Sequence, residues 1–276
     1  MTLEEKEQHL IEFVRNYESA LVAFSGGVDS ALLAFVTNRV LGERSLAVTA
    51  ISPSVSELQR EIAQDFARKY KLNHRVIHTG EMEDPNYTSN PANRCYFCKT
   101  ELYTHLKRLR EDWKLEVIFD GSNADDVGDY RPGRQAASEE GVVSPFIEVG
   151  INKEEIRGLS RKWELPTWDQ PAMPCLSSRF PYGIGITEEK LRQVDQAESF
   201  LRALGLRNFR VRHHENLARI EVDRAEMARI LDPELFDKIS HQFKSLGYQY
   251  VTLDLQGFRS GSLNEILTAD RLTADR

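Results

Sequence analysis

The stretch Leu21-Val22-Ala23-Phe24, followed at once by Ser25-Gly26-Gly27-Val28-Asp29-Ser30, constrains this chain more than any other. The apolar run reads as a buried strand over 20–24, and residues 30–40 read as a helix. A loop between a strand and a helix presents unpaired backbone N–H groups at the positive end of the helix dipole. Gly26 and Gly27 let an anion approach without a Cβ clash, while Ser25 and Ser30 add hydroxyl donors. Asp29 would repel a bare phosphate, so the loop implies a divalent cation, Mg²⁺, between carboxylate and phosphates. The lysine of a G-x-x-x-x-G-K-[ST] loop is missing, so transfer of a γ-phosphoryl group is not the expected reaction. A lone Gly-Gly pair would be only a turn; six matched residues between strand and helix exceed that.

Strand and helix signals alternate through the first part of the chain. Helices are expected over 3–16, from Ser56 with its stripe Leu58, Ile62 and Phe66, over 95–110, and from Asn152 to Trp163. Strands are expected over 46–51, 75–78 and 117–120, with a fifth over 142–146, and a polar loop over 80–93. This alternation predicts an α/β domain with a parallel sheet covered on both faces. The proline-rich stretch 169–185 then reads as a connection. Beyond it, Thr187 opens a helix, strands are expected over 209–213, 217–222 and 250–255, and a helix over 233–246. The expectation is therefore a larger domain over 1–182 and a smaller α+β domain over 183–276.

Composition narrows the class. The 276 residues are 41% hydrophobic with a net charge of -7. Their apolar runs are too short to span a bilayer, and the acidic, amphipathic N-terminus lacks signal-peptide character, so a cytoplasmic protein is expected. The acidic balance argues against nucleic acid as a partner. Three cysteines cannot all pair within one chain and read as thiols or metal ligands in a reducing compartment. Cys95 and Cys98, at C-x-x-C spacing before a helix, suit a metal; buried structural thiols are the plainer alternative. Arg210 and Arg212 alternate on one strand and so share a sheet face. Spacing alone divides them evenly between a solvated face and, with Ser178, a phosphate clamp.

The Ser25–Ser30 run resembles the signature of the PP-loop ATP pyrophosphatases, whose adenine nucleotide alpha hydrolase-like domain splits ATP into AMP and pyrophosphate. Further stretches narrow the resemblance. They are Asp120-Gly121-Ser122-Asn123 with Asp129-Tyr130-Arg131-Pro132-Gly133, Ser177-Ser178-Arg179-Phe180-Pro181-Tyr182-Gly183, Arg210-Val211-Arg212-His213 with Ala218-Arg219-Ile220-Glu221, and Tyr250–Asp254 with Gly257-Phe258-Arg259-Ser260-Gly261. These are similar to the LarE-type sulfur transferases across nearly the whole chain.

That resemblance implies adenylation of a carboxylate of a pyridinium-3,5-biscarboxylate mononucleotide, then sulfur insertion, in making the nickel-pincer cofactor of lactate racemase. It implies ATP contacts at Ala23, Phe24, Ser25, Gly26, Gly27, Asp29, Ser30, Ile51, Gly121 and Arg134, and substrate phosphate contacts at Ser178, Arg210 and Arg212. Glu198 and Glu221 are candidate site carboxylates. Family members with three cysteines resemble cluster-dependent enzymes, which favours Cys95, Cys98 and Cys175 as ligands of a 4Fe–4S cluster. Sacrifice of the Cys175 sulfur without a cluster, or Zn²⁺, are the alternatives. The implied partners are a small nucleotide substrate, a sulfide or other sulfur donor, and further copies of the chain as a homo-oligomer. Competing functions are a tRNA thiolase, an amide-forming ligase and a non-catalytic nucleotide-binding module.

Overall fold

The computed structural model describes residues 1–127, 132–259 and 261–264. The chain divides into two compact units: Met1–Glu83 with Asn93–Met173, and Asp84–Ala92 with the chain from Pro174 onward.

The first unit begins with α1, Leu3–Arg15, started by a reciprocal cap in which Thr2 and Glu5 each accept the other's backbone N–H. It continues through β1 (Ala20–Ala23), α2 (Val28–Leu41), β2 (Ser45–Ile51), α3 (Glu57–Lys69) and β3 (His74–His78). After the excursion into the second unit come α4 (Arg94–Asp112), β4 (Val117–Phe119), α5 (Pro132–Glu139) and α6 (Lys153–Lys162). The four strands pair in the order β3-β2-β1-β4, all parallel. Parallel strands need crossovers, and helices on both faces hide both sides of the sheet. Ala20, Val22 and Ala47 pack with Leu10, Leu32 and Phe66 in one core; Leu21, Leu46 and Ile118 pack with Tyr103 and Leu106 in another. The fold is α/β, as expected.

The fifth strand expected over 142–146 shrinks to one parallel bridge between Val143 and Phe119. Pro145 is the reason. It has no N–H for a ladder but suits a first helical turn, and Pro145–Glu148 forms one. The expected loop over 80–93 also contains a helical turn, Pro85–Thr88, capped by Asp84.

In the second unit, α7 (Glu188–Ala203) starts at Thr187, whose hydroxyl accepts the Lys190 N–H. β5 (Phe209–His214) and β6 (Leu217–Val222) are antiparallel, and β7 (Tyr250–Leu253) joins β6 in parallel after α8 (Pro233–Ser245). Alternation turns Val211, Ala218 and Ile220 toward Leu201, Ile239 and Phe243, leaving the opposite face for polar residues. No helix among the described residues is long and apolar enough to cross a membrane.

The segment Asp84–Ala92 joins this unit through Asn90, which is fully buried and has a positive φ of 58°. Asparagine tolerates that conformation better than most residues. Its Nδ2 donates to Pro181 O at 2.7 Å and Ile184 O at 3.0 Å, and its carbonyl accepts the Gly183 N–H at 2.9 Å. Tyr87 and Ser177, both buried, share a hydroxyl–hydroxyl bond of 2.6 Å. Asn90→Ala removes the side-chain donor to two part-buried carbonyls, and a loss of about 1–3 kcal/mol is expected. Urea denaturation should show a lower midpoint at an unchanged slope.

Candidate active site

The sheet topology sets the first half of the site. The chain runs outward from β1 through β2 to β3, then returns to place β4 on the far side of β1. In such sheets ligands gather outside the C-terminal strand ends at the reversal. The loop after β1 and Gly121 after β4 both lie there. Gly26 has a φ of +77°, and a Cβ on it would stand 3.0 Å from the Ala63 backbone of α3. A Cβ on Gly121 would stand 3.0 Å from the Ser30 nitrogen. Both glycines therefore let backbone pass where side chains would collide.

Within the loop, Ser30 Oγ donates to Gly27 O at 3.1 Å and accepts the Ser25 N–H at 3.1 Å. Gly27 begins α2 with no side-chain cap, so that helix start is left open toward the crevice. Ala23 ends β1 and Ile51 ends the neighbouring β2. Phe24 is anchored by its N–H to Val48 O and by Thr49 Oγ1 donating to its carbonyl, both at 2.8 Å. Arg134, on α5, donates from Nη1 to the Asp126 carbonyl at 2.8 Å. Asp129, Tyr130, Arg131 and Ser260 lie outside the described residues.

Asp29 stands in the first turn of α2. Lys153 Nζ donates to its Oδ2 at 2.5 Å, while Oδ1 is buried without a hydrogen-bond partner. Burial pushes the Asp29 carboxyl up from its ordinary value and Asp126 adds to that; Lys153 opposes them. A half-buried carboxylate with one buried oxygen unused, beside a second acid, fits a hard divalent cation. Nothing in the sequence ties Lys153 to a residue 124 positions earlier.

Cys95 and Cys98 lie one turn apart at the start of α4, Cys95 exposed and Cys98 half-buried, both as reduced cysteines. The neighbouring Lys99 ammonium is held above its ordinary range by Tyr103, then by Asp120 and Cys98. An uncapped helix start beside a cation favours thiolate, so the pair suits metal ligation. Cys175, also a half-buried free thiol, belongs to the second unit and precedes the turn Leu176–Arg179. Among the described residues no three His, Cys, Asp or Glu side chains gather to hold a metal ion.

The polar sheet face of the second unit holds the remaining candidates. Arg179 is buried and pairs with Glu198 through two parallel bonds of 2.9 and 2.8 Å. Its Nη1 also donates to the carbonyl of Cys175 at 3.0 Å and to Ser178 Oγ at 2.9 Å, so this guanidinium wraps the Cys175 turn. Burial opposes charge on Glu198, yet Arg179 and Arg210 hold its carboxyl below the usual range. Arg212 donates to Ser178 O, Glu221 Oε2 and Ser262 Oγ, while its Nε is buried without a partner. Arg210 stacks on Phe258 at 4.8 Å. Among the described residues of this unit, Arg179, Arg210 and Arg212 are buried against only two buried glutamates, 198 and 221, which leaves one positive charge in excess. Burial and then Arg179 lower Arg210 to about 10. Arg179 sits in a stretch noticed for its resemblance, but its ion pair with Glu198 has no signature in sequence.

No family model matches the chain. It is 47% identical over 266 residues to an uncharacterised protein of Synechocystis sp., covering 96% of this chain and 99% of that one. It is 36% identical over 273 residues to the pyridinium-3,5-bisthiocarboxylic acid mononucleotide synthase of Lactiplantibacillus plantarum, covering 98% of both chains. It is 26% identical over 196 residues to one of the subunits of the glutamine-hydrolysing GMP synthase of Methanocaldococcus jannaschii, covering 66% of this chain and 62% of that one. The near-complete overlap with the bisthiocarboxylic acid synthase spans both units, whereas the partial likeness to GMP synthase covers about two thirds of the chain. The chain belongs to the LarE-type sulfur transferases, the family of the pyridinium-3,5-bisthiocarboxylic acid mononucleotide synthase within the PP-loop ATP pyrophosphatase superfamily.

Proposed function

We propose that the protein activates a carboxylate of a pyridinium-3,5-biscarboxylic acid mononucleotide with ATP and replaces the activated oxygen by sulfur. The product is the thiocarboxylate used for the nickel-pincer cofactor of lactate racemase, made in the cytoplasm by a homo-oligomer. The observation that carries this reading is the 36% identity across 98% of both chains to the synthase of Lactiplantibacillus plantarum.

The first unit supports activation. A carboxylate oxygen of the substrate attacks the α-phosphorus, and the bond to pyrophosphate breaks. Ser25, Gly26, Gly27 and Ser30 offer donors to the departing group, with Ala23, Phe24, Ile51, Gly121 and Arg134 as the further nucleotide contacts. Asp29 would hold Mg²⁺ through its unpartnered oxygen, and that ion, when bound, neutralises charge on the phosphates. The second unit supports substrate binding. A phosphate monoester held by Ser178, Arg210 and Arg212 supplies the negative charge that the buried arginines lack. Glu221 positions Arg212 for that contact, and Glu198 holds Arg179, which in turn donates to Ser178 Oγ.

The number and spacing of the cysteines favour a 4Fe–4S cluster held by Cys95, Cys98 and Cys175, which would supply a sulfide. A second reading needs no cluster and is favoured by the setting of Cys175, a half-buried thiol on a turn whose carbonyl accepts from Arg179 at 3.0 Å. In it the Cys175 thiolate attacks the acyl adenylate, forming a C–S bond as the C–O bond to AMP breaks. Removal of the Cys175 α-proton then breaks the Cβ–S bond, leaving thiocarboxylate and dehydroalanine.

Pyrophosphate release, mononucleotide affinity, iron content and the mass of Cys175 test these steps in turn. Asp29→Asn should abolish magnesium-dependent pyrophosphate release with an unchanged circular dichroism spectrum, and ADP formation by the wild type would refute the reaction class. Arg210→Ala should weaken the mononucleotide by about 1.5–3 kcal/mol, roughly ten- to a hundredfold, with ATP affinity unchanged. Iron and acid-labile sulfide in anaerobically purified protein, lost in Cys95→Ala, Cys98→Ala and Cys175→Ala alike, support the cluster. A Cys175 lighter by one H₂S after turnover, with only Cys175→Ala inactive, supports sacrifice instead.

A further inference from the structure

The polar face of the second unit's sheet carries more charge than a phosphate clamp uses. Arg212 on β5 and Arg219 on β6 are register partners, a like-charge pair that a sheet disfavours. Glu221 bridges them, accepting from Arg212 at 2.7 Å and from Arg219 at 3.1 Å. His214 follows Arg212 by two residues and lies on the same face. Beside this row opens a pocket of about 510 Å³ whose titratable lining is His214, Arg219, Asp254 and Arg259, with Gln256 and Ser262 as neutral polar neighbours and Ile184 and Leu263 among its apolar walls. That volume falls in the range of small-molecule sites.

Three stretches quoted above for their resemblance converge here: Arg219 from the ARIE strand, Asp254 from the end of YVTLD, and Arg259 from GFRSG. None of them is used by the nucleotide loop or by the Ser178–Arg210–Arg212 set. Two nitrogens in the lining are buried without hydrogen-bond partners, His214 Nε2 and Arg219 Nε. The Arg219 Nε stands 3.6 Å from Asp254 Oδ2, close enough for charge but not for a hydrogen bond. Ser262 lines the pocket and also accepts from Arg212 Nη2 at 2.9 Å, so the pocket adjoins the phosphate-binding arginine.

We propose that this pocket binds the pyridinium ring of the substrate through its unreactive carboxylate, with Arg219, Arg259 and His214 receiving the carboxylate and Asp254 facing the cationic ring. The proposal rests on the substrate class given above. Its support is the mixed charge of the lining. A plain anion would gain nothing from Asp254, whereas a cationic ring bearing a carboxylate needs both signs and two apolar walls.

The probe is N-methylpyridinium-3,5-dicarboxylate, which has neither ribose nor phosphate, titrated calorimetrically into the whole chain without ATP. Saturable binding is expected, weakened roughly tenfold in Arg259→Ala and in His214→Ala, the loss of one good polar contact. Asp254→Asn, a near-isosteric change that guards against a folding loss, should remove the preference for this cation over neutral pyridine-3,5-dicarboxylate. No saturable binding by the wild type, equal binding by Arg259→Ala and His214→Ala, or an unchanged preference in Asp254→Asn overturns the assignment. Because the titration involves no turnover, failure of sulfur insertion and failure of this pocket register in separate measurements.

Discussion

Everything at the C-terminal edge of the parallel sheet depends on two close backbone approaches. Gly26 passes the Ala63 backbone and Gly121 passes the Ser30 nitrogen at separations that a methyl group would reduce to 3.0 Å. These contacts press the loop after β1 between α3 and the exit of β4, at the strand reversal. The serine hydroxyls then have little choice of partner, and the start of α2 faces the crevice without a cap. Substituting either glycine would strain the arrangement of the remaining donors before any ligand arrived. The geometry is prepared by packing, and binding energy is not spent on making it.

The second unit is organised by charge in a different way. Its sheet is apolar on the helix side and ionic on the other, and the ionic side is unbalanced. Glu198 and Glu221 each hold a buried arginine by a short bond, which keeps the guanidiniums oriented at a cost in desolvation. Burial and the neighbouring Arg179 weaken the hold of Arg210 on its proton. Such a surface is poor at stabilising the fold and good at selecting an anion, a trade commonly made at functional sites.

Sequence reading recovered what local pattern encodes. The strand–loop–helix run, the parallel alternation and the capped helices at Thr187 and Asn152 all follow from near neighbours in the chain. The strand expected over 142–146 failed because one proline outweighed the β-branched residues before it. Long-range pairings were invisible: Lys153 with Asp29, Arg179 with Glu198, and Asn90 with the carbonyls around Pro181. Each joins residues whose spacing has no period. For Arg210 and Arg212, alternation revealed the shared face, but not that Arg219 stands opposite or that Glu221 spans the two. For the cysteines, the spacing of Cys95 and Cys98 was legible as one helical turn, whereas the surroundings of Cys175 depend on Arg179 wrapping its turn.

Asn90 carries one more implication, which concerns synthesis. The segment Asp84–Ala92 belongs to the second unit although first-unit chain flanks it on both sides, so the polypeptide crosses between units at 83/84, 92/93 and 173/174. On a ribosome, Asn90 emerges some ninety residues ahead of the Pro181 and Ile184 carbonyls that satisfy it. Throughout that interval its amide is solvated by water, and the first unit must close around an open nine-residue excursion. Neither unit is a contiguous gene segment, so shuffling by simple fusion or truncation cannot exchange one of them intact. A lineage carrying this fold inherits both units together.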